Sequence, residues 1–437
     1  MAQLQKGSKK LLNAWAFYDW ANSVYSLVIA SAVFPIFYSH IIPDSGTLSF
    51  FGNEVKGTAL ISFVTAFAFL IVSFISPLLS GIADYAGNKK SFLKLFCYIG
   101  AISCIGLYWF SIDNLYLSLV CYLFGLVGFW GSLVFYNSYL PDVAFPEQQD
   151  AVSAKGYSMG YIGSVILLIL NLVMVMKPEL FGIKGTPEEP AAILAMRYSF
   201  ISVGIWWILF SQYTYYYLPE GAVRNKVTRD VMLNGFRELR KVWLRLKENT
   251  ILKRYLGAFF VYSMAVQTVM LAATYFGAEE IAWPDEDAKS MGLIISILLI
   301  QLIAVAGALL TSRLSAKVGN IKALIIINII WAVICVSAFF ISLPVHFYIT
   351  AAFVGLVMGG IQSLSRSTYS KFLPETTDTA SFFSFYDVTE KIGIVIGMLL
   401  YGAIDQMFGS MRYSIIFLTL FFIVGIFLLT RVPKKTL

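Results

Sequence analysis

The chain has little ionic character for its size. Of its 437 residues only 13% are charged, and it contains just two histidines, His40 and His346, and four cysteines, Cys97, Cys104, Cys121 and Cys335. The sparse histidines form neither a metal-ligand cluster nor a nucleophile–base pair, so no enzyme activity, metal or cofactor is expected. The cysteines sit inside apolar runs without CxxC spacing, which excludes a disulfide framework and leaves them as small packing residues. No Walker A sequence occurs, which argues against an ATP-driven pump. The first apolar run follows Lys6, Lys9 and Lys10, is too long for a signal-peptide core and lacks a cleavage pattern; it reads as a retained membrane helix.

Apolar surface is what the chain has in abundance, at 58% hydrophobic residues. A bilayer core about 30 Å thick takes roughly 20 apolar residues per helical crossing. Runs of that kind lie near 14–38, 58–80, 93–112, 116–139, 154–176 and 195–217, then near 255–277, 290–311, 321–342, 346–368, 384–405 and 413–430. The sequence therefore predicts an all-α membrane protein of about twelve crossings. Its net charge of +7 follows alternate loops: Lys6, Lys9 and Lys10; Lys89, Lys90 and Lys94; Arg313, Lys317 and Lys322; Arg431, Lys434 and Lys435. Glu279, Glu280, Asp285, Glu286 and Asp287 mark an intervening acidic loop. Basic loops stay inside, so both termini are expected in the cytoplasm of a bacterial cytoplasmic membrane, which an even number of crossings requires. The basic excess thus points to lipid, with no nucleic acid as partner.

The longest polar stretch, from Pro219 to Arg254, divides the crossings six and six. The expected organisation is an N-terminal bundle at 1–217, a cytoplasmic linker at 218–254 and a C-terminal bundle at 255–437. Phe236, Leu239, Trp243 and Leu246 recur at helical spacing beside Arg237, Arg240, Lys241, Arg245 and Lys247, the pattern of an amphipathic helix at a lipid surface. Such a helix is a membrane-lying linker or a regulatory element. An internal repeat supports the division: Gly87-Asn88-Lys89-Lys90 is echoed by Gly319-Asn320-Ile321-Lys322. The stretch from Lys155 through Gly163 to Ile166 is likewise echoed by Phe385 through Gly393 to Ile396. Duplicated halves of this kind bind substrate between them near the bilayer midplane.

Ionisable residues inside a membrane helix cost about 2.5–3.5 kcal/mol on insertion scales and so mark function or a partner. On the first helix Asp19, Asn22, Ser23 and Ser26 form a polar stripe. Asp19 suits a proton or cation site, or a helix–helix hydrogen-bond acceptor. On the eleventh, Asp387, Glu390 and Lys391 share a face; Asp387 and Lys391 can pair, leaving Glu390 as a proton-exchange candidate or the three as a neutralised closing cluster. On the tenth, Gln362 and Arg366 follow the close-packing Gly355, Gly359 and Gly360. Arg366 could hold an anionic substrate group or pair with an acidic residue. Asn137, Gln267 and Gln301 read as polar glue between helices. Aromatics make up 16% of residues; Trp15, Tyr18, Trp20 and Tyr25 crowd the first helix, and those near helix ends read mainly as interface anchors.

The loop with Gly81, Asp84, Gly87, Lys89 and Lys90 is similar to the major facilitator loop motif, with Tyr85 where a basic residue usually follows the Asp. Asp84 can accept hydrogen bonds at a helix N-terminus, and the lysines can meet carboxylates of the opposite half, forming a gate. The second copy carries Ala316 in place of the Asp, which predicts a weaker latch there. The stretch Ala16-Phe17-Tyr18-Asp19-Trp20-Ala21-Asn22-Ser23-Val24-Tyr25, ending at Phe34-Pro35, resembles the first helix of the autophagy-related vacuole-effluxer-like family of the major facilitator superfamily. Gln362-Ser-Leu-Ser-Arg366-Ser and Phe382-Phe383-Ser-Phe385-Tyr386, followed by Lys391 and Gly397, resemble it too; Met398 departs from an expected Pro. The resemblance implies two six-helix bundles, with helices one, four, seven and ten lining a cavity and two, five, eight and eleven forming the contacts between bundles. It further implies secondary transport of a small solute, with amino acids as one substrate class; Asp19 and Glu390 are the candidates for a proton or cation as coupling ion. The chain is read as a monomer. A non-transporting receptor or scaffold is the alternative, which the gate loop and costly charges oppose.

Overall fold

The computed structural model describes residues 4–43, 46–187, 189–221 and 231–433. Lys434 and Lys435, and the linker stretch 222–230, lie outside the described residues. Among those described are twelve helices long and apolar enough to cross a membrane: α1 Lys9–Ile41, α2 Gly57–Ala86, α3 Lys89–Trp109, α4 Leu115–Val143, α5 Pro146–Met176 and α6 Ala191–Tyr217. The second set is α7 Thr250–Glu279, α8 Glu286–Val318, α9 Asn320–Ala338, α10 Pro344–Phe372, α11 Thr379–Phe408 and α12 Met411–Thr430. Most run past the apolar stretch that announced them; α2, for instance, carries on through the polar gate loop to Ala86. Twelve alternating crossings return the chain to the face from which it starts, called here the near face; the other is the far face.

Buried apolar side chains fall into two clusters. One joins α1–α6 around Trp15, Tyr25, Phe135 and Trp207, and the other joins α7–α12 around Tyr255, Trp331, Tyr369 and Phe422. Within lipid there is no hydrophobic drive between helices, so small residues that let backbones approach decide which helices pair. Gly355 of α10 faces the Ile300 carbonyl of α8, and Gly307 of α8 and Gly359 of α10 fill matching places against Leu356 and Ala304. On α5, Gly156 backs onto the Asp19 carboxylate, Gly160 onto Ser23 and Gly163 onto Trp20 of α1.

α1 is wound wide between Tyr25 and Val33, a π-helical stretch in which Ser31 Oγ donates to the Ser26 carbonyl at 2.8 Å. Pro35 follows directly. It has no N–H to return to the turn before it, and such wide turns concentrate at functional sites. One addition to the helical architecture is a short far-face hairpin between α1 and α2, β1 Thr47–Phe50 against β2 Asn53–Lys56, with Leu48 opposite Val55.

The linker helix, Val231–Glu248, docks on the near-face end of α2. Gly81 meets the Gly235 backbone there, so the glycine of the gate motif makes room for the linker. The helix also reaches the second half: Arg245 pairs with Asp378 at 3.1 Å and Trp243 lies 5.4 Å from the Phe385 ring. Its apolar stripe is divided by this docking. Leu246 is buried, whereas Phe236 and Trp243 stay exposed beside Arg237, Arg240 and Lys241.

A Cβ at position 307 would strike backbone, whereas one at Gly402 has nothing within 4 Å. Gly307→Val is therefore expected to destabilise the α8–α10 contact by about 1–3 kcal/mol or more, and Gly402→Val to be near neutral. Thermal unfolding of the two variants in detergent checks this.

Candidate functional site

Between the two groups of helices lies a cavity of about 330 Å³, the size of a small-molecule site. α1, α4, α7 and α10 line it, as the resemblance implied; α5, α8 and α11 contribute as well. The last three serve twice, because the main contacts between halves are α5 with α8 and α10, and α11 with α2 and α4.

The near-face floor is built on Arg366. Its Nη2 donates to Asp19 Oδ2 at 3.1 Å and to the Ser153 carbonyl at 3.0 Å, Nε to Ser153 Oγ at 2.9 Å, and Nη1 to Asn137 Oδ1 at 3.1 Å. The Tyr136 hydroxyl donates to the same Asp19 oxygen at 2.8 Å. Three rings surround the guanidinium, with Tyr157 at 4.2 Å, Trp15 at 4.8 Å and Tyr136 at 5.4 Å from its carbon. The side chains of the pair are only 2% and 5% exposed, so water does little to screen it. Of the two roles open to Arg366, the geometry realises the pairing with an acidic residue. Asp19 can be reached only because Gly156 presents no side chain to it.

The α11 cluster forms one wall. Lys391 Nζ is ion-paired with Asp387 Oδ1 and lies 4.6 Å from the centroid of the Trp130 ring. Glu390 Oε1 accepts from Gln267 Nε2 at 2.7 Å and has no cation within ion-pair distance among the described residues. Gln362 Oε1 accepts from the Tyr161 hydroxyl at 2.7 Å, a bond from α10 to α5. Asn22 lies in the α1 wall; its Nδ2 and Asp387 Oδ2 are buried without a protein partner among the described residues.

The near end of the cavity is shut by two sets of contacts. Asp84 caps the start of α11, accepting from Ala380 N at 3.2 Å and Ser381 N at 2.7 Å, the helix-terminus role its sequence position suggested. Gly87, at φ 71°, turns the chain out of α2 in a conformation that favours glycine. The lysines differ from expectation. Lys89 pairs with Asp142 of its own half and reaches across only to the Thr379 hydroxyl at 2.7 Å, while Lys90 bonds the Leu218 carbonyl at 2.9 Å and Glu220 at 3.5 Å. Their start at the first turn of α3 keeps them under their own half. The second latch is also not stripped of an acid. Asp150, at the start of α5, accepts from Asn320 Nδ2 at 2.9 Å, Ser315 Oγ at 3.0 Å and Lys371 Nζ at 2.6 Å. The carboxylate missing at Ala316 is supplied from the other half.

Asp150, Ser153, Tyr136 and Tyr157 were not singled out in the sequence. Asp150 had a signal, an acid just after Pro146 facing a loop rich in Arg313, Lys317 and Lys322; the others had none. The expected interface anchors on α1 are corrected: Trp15, Tyr18 and Tyr25 are fully buried inside the first half. They pack against α4 and α6 rings, as in the stack of Trp15 on Tyr136 at 4.6 Å. Asn137 and Gln267 bond Arg366 and Glu390 between helices, as polar glue, and also line the cavity.

The same architecture recurs in known transporters. A structure of the major facilitator superfamily (MFS) transporter FucP in the outward conformation superposes with a TM-score of 0.69 at 14% identity, covering 98% of this chain and 100% of that one. The proton:xylose symporter XylE gives 0.71 at 13% identity, covering 98% and 96%. These establish the fold. In sequence, the MFS-type transporter YxiO of Bacillus subtilis is 30% identical over 433 residues, 99% of this chain and 97% of its own length. Autophagy-related protein 22 of Eremothecium gossypii is 24% identical over 478 residues, 94% of this chain and 88% of its own. Residues 7–436 match the family described as vacuole effluxer Atg22 like. With a sealed near end, a cavity between two helix groups and nearly its whole length matched, this chain belongs to the Atg22-like vacuole effluxer family of MFS-type transporters.

Proposed function

We propose that this protein is a proton-coupled secondary transporter that moves a small solute by alternating access. In this proposal the helices of 1–217 and 255–437 rock against one another about the cavity, tethered by 218–254. The observation that carries it is the cavity itself, lined from both halves and closed at one end by contacts of Arg366, Asp84 and Asp150 that cross between them. Basic near-face loops support a cytoplasmic near face, in a bacterial cytoplasmic membrane. The state described is then the outward-facing one. The family resemblance favours amino acids or similar metabolites as cargo and export as the direction.

Asp19 and Arg366 act as the strut that holds the near end shut, Asp84 with Lys89 as the gate, Lys90 steadying it from within its own half, and Gln362 and Asn22 as neutral contacts to the solute. Glu390 is the proton site. It stands in the wall with a neutral partner, Gln267, so it can gain or lose a proton without breaking an ion pair.

Uptake and counterflow of a pooled labelled amino-acid mixture in proteoliposomes, with and without an imposed pH gradient, test the function. Flux driven by the gradient and lost in Glu390→Gln is the expected result; unchanged pH dependence in that variant removes Glu390 from the proton role, and no flux of any solute favours a non-transporting receptor. The strut is tested separately. Asp19→Asn strands a buried guanidinium and is expected to cost about 3–5 kcal/mol, while Asp19→Asn with Arg366→Gln costs less than the two single changes summed. Unfolding of the purified variants in detergent reads this coupling.

A further inference from the structure

The cavity is short of one positive charge. Its walls carry Asp19, Asp387, Glu390 and Arg366, with Lys391 beside them. Asp19 is taken by Arg366 and Asp387 by Lys391, so three carboxylates face two cations and one negative charge, that of Glu390, is left over. The cations themselves are engaged. Every guanidinium nitrogen of Arg366 donates within the protein, and Lys391 is 1% exposed in its pair. A solute carboxylate would meet no free cation. A solute donor would meet one charged acceptor in the wall, the Glu390 carboxylate, backed by the buried Asp387 Oδ2 three residues earlier on the same helix face, which has no protein partner among the described residues. Trp130, Tyr157, Tyr161, Tyr262 and Tyr386 share these walls. An ammonium group has three donors and no acceptor, and aromatic faces attract it.

We infer that the cavity selects an organic monocation carrying a protonated amine, in preference to a zwitterion or an anion, and that this ammonium and the proton exclude each other at the Glu390 carboxylate. Transport is then an exchange of amine for proton. The inference rests on the transport reading above but replaces its amino-acid cargo with amines that lack a free carboxylate.

The groups that face Glu390 allow this. α7 brings Gln267 and Tyr262, α5 brings Tyr157, and α11 itself brings Tyr386, Asp387 and Lys391. The other elements packed on α11 hold their charges at its ends or beyond: Asp84 of α2 on Ala380 and Ser381, Asp142 of α4 on Lys89, Arg412 of α12 on Glu280, and Arg245 of the linker on Asp378. None of these partners is free to neutralise Glu390.

Binding to the purified full chain in detergent, read by tryptophan fluorescence and calorimetry, tests the inference without requiring flux. The probes share one ring and differ in charge: phenethylammonium, phenylalanine, 3-phenylpropionate and 2-phenylethanol. The expected result is at least tenfold tighter binding of the ammonium than of any other probe. It should weaken about tenfold per unit fall in pH once the carboxyl is protonated, as for two ligands exclusive at one group. Glu390→Gln should abolish both the preference and the pH dependence, and Glu390→Asp should keep both at reduced affinity, which separates loss of recognition from loss of fold. Phenylalanine or phenylpropionate binding as tightly as the amine, no amine binding, or a preference that survives Glu390→Gln overturns the inference. Amine binding without counterflow in proteoliposomes overturns the transport reading instead and leaves the recognition standing; counterflow of a carboxylate-bearing solute without amine binding does the reverse.

Discussion

The contact between Arg366 and Asp19 sets the conditions for the structure around it. An ion moved from water into a medium as dry as a helix interface loses several kcal/mol of solvation, which attraction offsets only if the remaining donors and acceptors are filled. Arg366 comes close to that condition: Asp19, Asn137 and Ser153 take four of its five N–H donors, and three rings surround it. Each partner in turn constrains its own helix. Gly156 has to lack a side chain so that α5 can come up against Asp19, and Tyr136 has to stand where its hydroxyl supplies the carboxylate with a second donor. Because α10 belongs to one cluster of helices and α1, α4 and α5 to the other, this solvated-by-protein ion pair joins the halves. It can separate only as water or another charge arrives to replace what is lost.

Around that strut the near face is closed by terms that are individually small. Asp84 meets the first amides of α11, and Asp150 meets Ser315, Asn320 and Lys371 from the second half. Asp84 and Asp150 are buried and Lys371 is partly exposed; a carboxylate at a partly buried helix N-terminus contributes up to about 2 kcal/mol. A closure made of several such contacts holds, yet no one of them forbids opening. The two latches are related by the sequence repeat, and the repeat explains their difference: where the second copy lost its acid at position 316, the acid comes across the seam. The linker helix joins this system through Gly81 and Gly235 on one side and Asp378 and Phe385 on the other, so it touches both halves at the place where they meet.

The crossings were legible because lipid demands a length and an apolarity that sequence displays directly; the twelve helices match the twelve runs, apart from ends that extend into polar loops. Asp19, Glu390, Arg366 and the α11 cluster were legible for the opposite reason, since charge in an apolar run is costly and stands out. What the sequence could not display was pairing across distance. Asp19 and Arg366 are 347 residues apart, and nothing local in either helix says that they meet. The buried aromatics on α1 were misjudged because a ring near a helix end looks the same whether it faces headgroups or a neighbouring ring. Lys89 was sent to the wrong carboxylate because loop position fixes a side chain's height but not its azimuth.

Two carboxylates in one cavity, Asp19 and Glu390, have different freedom, and their surroundings say why. A proton on Asp19 would remove the counter-charge of a guanidinium that is buried and has no second acid within ion-pair distance among the described residues, so protonation there has to be accompanied by a change at the seam between α1 and α10. A proton on Glu390 removes only the excess charge of the α11 wall and leaves its hydrogen bond with Gln267 available to either form of the carboxyl. In the proposed cycle the first group therefore belongs to conformation and the second to exchange. Their separation, one on the strut and one on the wall, is what would let a ligand of the proposed Glu390 site come and go while the near face stays shut, as a transporter needs before it turns.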